Sequence, residues 1–487
     1  MKKALSLFVA GALLAVALPT FAQQPDLAPS VTVKDQVVAG VVPTVTVQEV
    51  ISPVQGFIVI HNQVDGSFGP VIGVRPVAAG VNRNVEVTLS DVDKATPVLY
   101  AMLHEDTGEV GVYEFGAVQG ADGPIIVDGA PVSPAFNAFV LQADHQPLVD
   151  NSVTVRVAAM NTDGFVVVHA EDNGSFGAVL GATPIAAGTN MEVTIALEGN
   201  LTPRVWPMLH FDTGVVGTYE FGTVPDTDGP VALDGFVATF PISTVPAMTV
   251  LDQVVLASDG MTSPAMVLAN SVYSQGAGWL VIHADNEGAP GPVLGAAPLA
   301  DGINRNVMVA IEGDITPVLW PMMHIDTGVI GEYEFGMVEG ADGPVFVEGN
   351  VVTFPIYAAP SIMTDSVAMD YGQGRSHEFG VEDNVIHLPI VVSDSLGWLV
   401  IHSSVDGAPG PVIGGAAVLP GLNRRLYIEI DPSLIPENAV LDQVFPMLHY
   451  DNGVIGEYEF GAVEGADGPV TVGGEVVVLP LEAVLVR

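Results

Sequence analysis

The chain has 487 residues, no cysteine, 13 basic and 56 acidic residues, and a formal net charge of −43 at pH 7. The lack of thiols excludes a disulfide framework, a thiolate metal centre and a cysteine-anchored lipid. The charge argues against a nucleic-acid or anionic-membrane partner and favours cations. Apolar residues make up 49% and charged ones 14%, so the chain can bury enough surface to fold despite its self-repulsion.

The first 22 residues read as a secretory leader: Lys2 and Lys3, an apolar run from Ala4 to Leu18, then Thr20-Phe21-Ala22 as a cleavage triplet. No later stretch has the roughly 20 uninterrupted apolar residues of a membrane-spanning helix. The sequence therefore predicts an exported protein, periplasmic, cell-surface or extracellular. Its acidity fits adaptation to salt, recruitment of Ca²⁺, or solubility of a surface protein.

The remainder repeats. "GFIVIH" (56–61), "GFVVVH" (164–169), "GWLVIH" (278–283) and "GWLVIH" (397–402) each precede a Gly-Asn block such as "GINRNVMVAI" (302–311). Each block leads to "YAMLHEDTGEVGVYEFG" (100–116), "WPMLHFDTGVVGTYEFG" (206–222), "WPMMHIDTGVIGEYEFG" (320–336) or "FPMLHYDNGVIGEYEFG" (445–461), and then to "GADGP" or "DTDGP". The first histidines stand at 61, 169, 283 and 402, a spacing of domain size rather than solenoid size. Four tandem domains follow: 28–135, 136–244, 245–358 and 359–487, joined by short proline-containing links. Copy four carries insertions at 370–383 and 431–443.

Short Val- and Ile-rich runs bounded by Gly, Pro, Asn and Asp predict an all-β fold with about seven or eight strands per copy. The best fit is a two-sheet sandwich of immunoglobulin-like or cupredoxin-like style, with a small closed barrel as the alternative. "GWLVIH" is apolar on both faces and reads as a central strand. Pro207, Pro321 and Pro446 suggest an edge strand or a bulge. "GEYEFG" reads as the returning strand of a hairpin, with Tyr333 and Phe335 covering the row Trp320, Met322, His324.

Two readings of the recurring polar residues compete. One is a metal site built from the histidine pairs His61 and His104, His169 and His210, His283 and His324, and His402 and His449. Met102, Met208, Met322 and Met447, or Asp106, Asp212, Asp326 and Asp451, would complete it, for Cu(I) with Met or Zn²⁺ with Asp. The other is a buried polar tie, and it is favoured: His324 and Asp326 hold the hairpin together while Met and Trp fill the core. The acidic Gly loops "QVDGSFGP", "EDNGSFGA", "ADNEGAPGP" and "SVDGAPGP" resemble Ca²⁺ loops but lack EF-hand spacing, so they read as turns, as do the "GADGP" loops. No nucleophile elbow, metalloprotease helix, phosphate loop or dinucleotide fingerprint is present, and equal copies suit valency better than catalysis. No cofactor is expected unless Ca²⁺, Zn²⁺ or copper binds.

Taken together, "VIH", G-x-N-R-x-V, "P-M-x-H-x-D-T-G", "Y-E-F" and "D-G-P" resemble a domain of unknown function in exported proteins of halophilic archaea and some bacteria. There the hairpin looks like "PHRDTN…YDF…EDGPY". This chain has Asp-Thr-Gly for Asp-Thr-Asn and Tyr-Glu-Phe for Tyr-Asp-Phe. The resemblance covers all four copies and implies export and a β-rich repeat, without an activity. The sequence thus predicts a secreted or cell-surface, non-catalytic binding and structural array with an unknown surface or matrix partner. A metal-binding protein using the histidine pairs is the alternative.

Overall fold

A computed structural model describes residues 28–255, 265–363, 380–382 and 384–482. The expected leader (1–22) and most of the copy-four insertion at 370–383 lie outside the described residues. Among these residues there is no α-helix. Two short 3₁₀ turns, Val92–Lys94 and Pro432–Leu434, interrupt an all-β chain. No helix of the described residues is long and apolar enough to cross a membrane.

Copy three shows the plan. One sheet runs Pro290–Leu299, Gly278–Asp285, Val318–Ile325, Ile356–Tyr357. The other runs Ala247–Thr249, Ala265–Ser274, Gly302–Ile311. All neighbours are antiparallel. Strand alternation points Val267, Ala269 and Val309 at Leu280, Ile282 and Met323, and these form the core between the sheets.

Gly278–Asp285 is central, as its sequence suggests, and its outward face is also buried: Trp279, Val281 and His283 are each under 10% exposed. Something other than the second sheet must therefore cover that face. Gly278 is required where it crosses its neighbour, because a Cβ there would lie 2.6 Å from the His324 carbonyl oxygen.

Copies one and two share a strand. Ala135–Gln142 pairs first with Val98–Glu105 and then with Ser152–Met160, while Gln36–Gly40 joins it in parallel. Copy two is clamped to copy three by Asp144, only 4% exposed, which accepts from Ser271 Oγ at 2.9 Å and pairs with Arg305 at 2.7 Å. Copy four returns to copy one. Arg75 Nη2 donates to the Leu422 carbonyl at 2.9 Å, Asn84 Nδ2 donates to the Arg425 carbonyl at 3.2 Å, and Arg424 pairs with Glu86 at 3.6 Å.

Candidate functional site

The outward face of each central strand is covered by a loop, which begins after the second histidine and ends at the Asp-Gly-Pro turn. The expected returning strand is not formed. The "GEYEFG" stretch of copy three is a series of turns, because side chains there take the place of ladder partners. Asp326 accepts Gly331 N–H at 3.0 Å, and Glu334 Oε2 accepts Val329 N–H at 2.7 Å. Gly328, Gly331 and Gly336 take φ of 86°, 84° and 78°, values at which a Cβ would be strained. Copies one, two and four repeat these bonds through Asp106, Asp212 and Asp451 and through Glu114, Glu220 and Glu459.

The residue that organises the loop is Asp342, in a stretch the sequence gives as a mere turn. It is fully buried. Its backbone carbonyl accepts His324 Nδ1–H at 2.6 Å. Its carboxylate accepts Thr327 N–H at 2.8 Å and Glu334 N–H at 2.6 Å, and its own N–H donates to Thr327 Oγ1 at 2.9 Å. Asp122, Asp228 and Asp467 do the same in the other copies, with Asn452 standing in for threonine in copy four. A buried carboxylate accepting backbone N–H groups is a strong, charge-assisted device. The signal for it was the invariant Asp-Gly-Pro spacing, 18 residues after each second histidine.

The histidines tie two loops to one face. His283 Nδ1 bonds the Gly291 carbonyl at 2.8 Å, on the side opposite the His324 tie. Ring centroids of the pairs His61–His104, His169–His210, His283–His324 and His402–His449 are 6.1, 5.9, 5.7 and 5.8 Å apart. Along the strand register Met322 stands between them, opposite Val281. Met102, Met208 and Met447 hold the same place. Tyr333 and Phe335 cover the His324 end of the row: Phe335 meets the His324 ring edge-on at 4.7 Å and Tyr333 lies at 5.9 Å. Burial lowers the pKa of all eight histidines, to about 4 for His210, His324 and His449. The imidazoles are therefore neutral at pH 7. Asp326 is turned to its own loop, and among the described residues no three of His, Asp and Glu gather as a cation-binding set. The acidic Gly loops are hairpin turns, with Asp65 and Gly66 both at positive φ (51° and 78°) between paired Val64 and Ser67.

Beyond this stapled base the loop tip is apolar and bare. Val110 is 72% exposed, Val216 76% and Ile330 70%. Copy four differs. Its Gly456 lies against Ala79 of copy one, where a Cβ at Gly456 would come within 2.6 Å of the Ala79 Cβ. Ile455 is down to 40% exposed, Asp451 and Tyr458 are buried, and Ala78 and Ala79 are 2% and 6% exposed. The equivalent turn of copy two, Ala186-Ala187, is exposed.

These features define a tandem array of one β-sandwich module with no cysteine and a stapled surface loop in every copy. The chain belongs to the family described as Domain of unknown function (DUF7282), which matches residues 29–138, 140–243, 253–357 and 377–483. No curated protein matches it. A solved structure to which it is similar is the crystal structure of a tetra-tandem repeat in the extending region of a large adhesion protein, at 12% identity, 88% coverage of this chain and 97% of that one, and a TM-score of 0.14.

Proposed function

We propose that the protein is an exported, non-catalytic structural and binding array of the cell surface or envelope, and that its working element is the apolar loop tip of each module. The partner is another copy of the same module in a neighbouring chain, received on the Ala-Ala-Gly turn. The observation that carries this reading is the copy-four loop seated on Ala79. The seat within the chain supports this chemistry for the contact: small residues on the turn admit a glycine-containing tip whose loop is held by buried carboxylates. Copies one to three leave three equivalent tips exposed, and copy two leaves an Ala-Ala-Gly turn exposed.

A tip-to-turn contact is heterologous. When made between chains it builds open assemblies unless its rotation closes a ring. Several weak contacts per chain reinforce one another, and the acidic surface opposes association at low ionic strength while salt screens that opposition. The test is sedimentation of the mature protein across concentration and salt. Concentration-dependent association that strengthens with salt is expected. Val110→Asp, Val216→Asp and Ile330→Asp together should abolish it, with the melting temperature unchanged. A chain that stays monomeric at high concentration and high salt, or association indifferent to these substitutions, would overturn the reading.

A further inference from the structure

We propose that in each module the two buried imidazoles and the methionine between them form a site for one soft monovalent cation, Cu(I). In copy three the ligands are His283, Met322 and His324. The inference is independent of the docking reading, since the ion is held inside one module and the association test contains no copper.

The first observation is the tautomer. A neutral imidazole has one N–H. In all eight histidines Nδ1 faces a backbone carbonyl at 2.6 to 2.9 Å, so the proton is on Nδ1 and Nε2 carries a lone pair. A bond from the far nitrogen to a carbonyl is the arrangement that orients a ligating imidazole and raises its basicity.

The second observation is that these lone pairs are orphaned. All eight histidines are at least nine-tenths buried. For seven of them Nε2 has no hydrogen-bond partner among the described residues. The eighth, His210, has Nε2 3.3 Å from Met208 Sδ. A thioether has no proton to give, so this is a lone pair facing a lone pair. A cation satisfies both, whereas a buried acceptor left alone costs about 1–3 kcal/mol. The defect recurs in all four copies, and buried unsatisfied groups that persist call for an explanation such as an ion.

The third observation is distance and donor type. With Nε2 about 2 Å from a shared ion, two rings at a wide N–metal–N angle have centroids roughly 6 Å apart, and tetrahedral coordination brings them to roughly 5 Å. The observed 5.7 to 6.1 Å match the wide angle. Two neutral nitrogens and a thioether suit Cu(I), which takes two or three ligands. Zn²⁺ and Ca²⁺ need further nitrogen or oxygen donors, and no third His, Asp or Glu joins the pair among the described residues. Phe335 packs edge-on against the His324 ring.

The test is an anaerobic titration of the intact mature protein with Cu(I) against a chromophoric Cu(I) chelator, followed by X-ray absorption at the copper edge. About four ions per chain should be retained, in a shell of nitrogen and sulfur at the distances of imidazole and thioether. His283→Asn keeps an amide N–H for the Gly291 carbonyl but removes Nε2, and should lower the count by one while its copper-free melting curve stays cooperative. Met322→Leu, close in volume, should leave the fold intact and weaken one site at least tenfold. Complete loss of copper to the chelator, an unchanged count in His283→Asn, or a shell of oxygen alone would each overturn the proposal.

Discussion

The loops of copies three and four share the sequence Gly-Val-Ile-Gly-Glu-Tyr-Glu-Phe-Gly and the same staples, yet one tip stands in solvent and the other lies against copy one. In copy three Ile330 is 70% exposed; in copy four Ile455 is 40% exposed and the Gly456 N–H is buried against Asp451. What differs is not the loop but the presence of an alanine turn opposite it. The loop is thus shaped before it docks, so docking need not order it and loses little to conformational entropy. Its rigidity comes from the buried Asp342 and His324, or Asp467 and His449, beneath the tip.

The strongest way to break this comparison is to remove the common base. Asp342→Ala deletes the acceptor of two backbone N–H groups at a buried site and should destabilise copy three by about 3 kcal/mol, with the copy-three loop losing its hydrogen-exchange protection. Copy-resolved denaturant unfolding checks it. His324→Ala comes next, at roughly 1–3 kcal/mol, the cost of leaving the Asp342 carbonyl unpaired. Asp326→Asn retains an acceptor for Gly331 N–H and should cost less than about 1 kcal/mol.

Acid should act on every copy. The histidines have folded pKa values below the ordinary 6.5, down to about 4 for His210, His324 and His449. The unfolded chain therefore binds more protons between those values, and the stability these groups contribute is complete above pH 6.5 and is lost as pH falls towards 4. Thermal melts across that range should fall steadily. Asp451 works in the opposite sense. Burial pushes its carboxyl up to about 6, so the folded, seated form binds the extra proton, and the contribution of the seat falls as pH rises from about 4 through 6. Asp451→Asn should remove that part of the pH dependence. Ala187→Glu, on the unoccupied turn of copy two, is the smallest change: stability within about 0.5 kcal/mol of the parent, but weaker association between chains.

The four-fold repeat, the all-β sandwich and the central "GWLVIH" strand were legible because strand alternation and turn residues are local signals. So was the covering of His324 by Tyr333 and Phe335. The loop's form was not. Tyr333 and Phe335 alternate like strand residues, but Asp326, Glu334 and Asp342 accept the backbone N–H groups that a ladder would have used. The role of Asp342 is not legible in the sequence because an Asp before Gly-Pro has an ordinary local explanation, whereas its burial goes with a contact to Thr327, 15 residues away. The seat on Ala79 links residues 377 positions apart, beyond any pattern along the chain.

Hydrogen exchange of the copy-three and copy-four loops, measured side by side in the parent protein and in Ala79→Glu, bears most directly on whether the loop is a docking element. The amides of residues 454–458 should exchange more slowly than those of 329–333 in the parent and match them in Ala79→Glu, while the staples beneath stay protected. Equal rates for the two loops in the parent protein would contradict the seat, and with it the docking role of the loop.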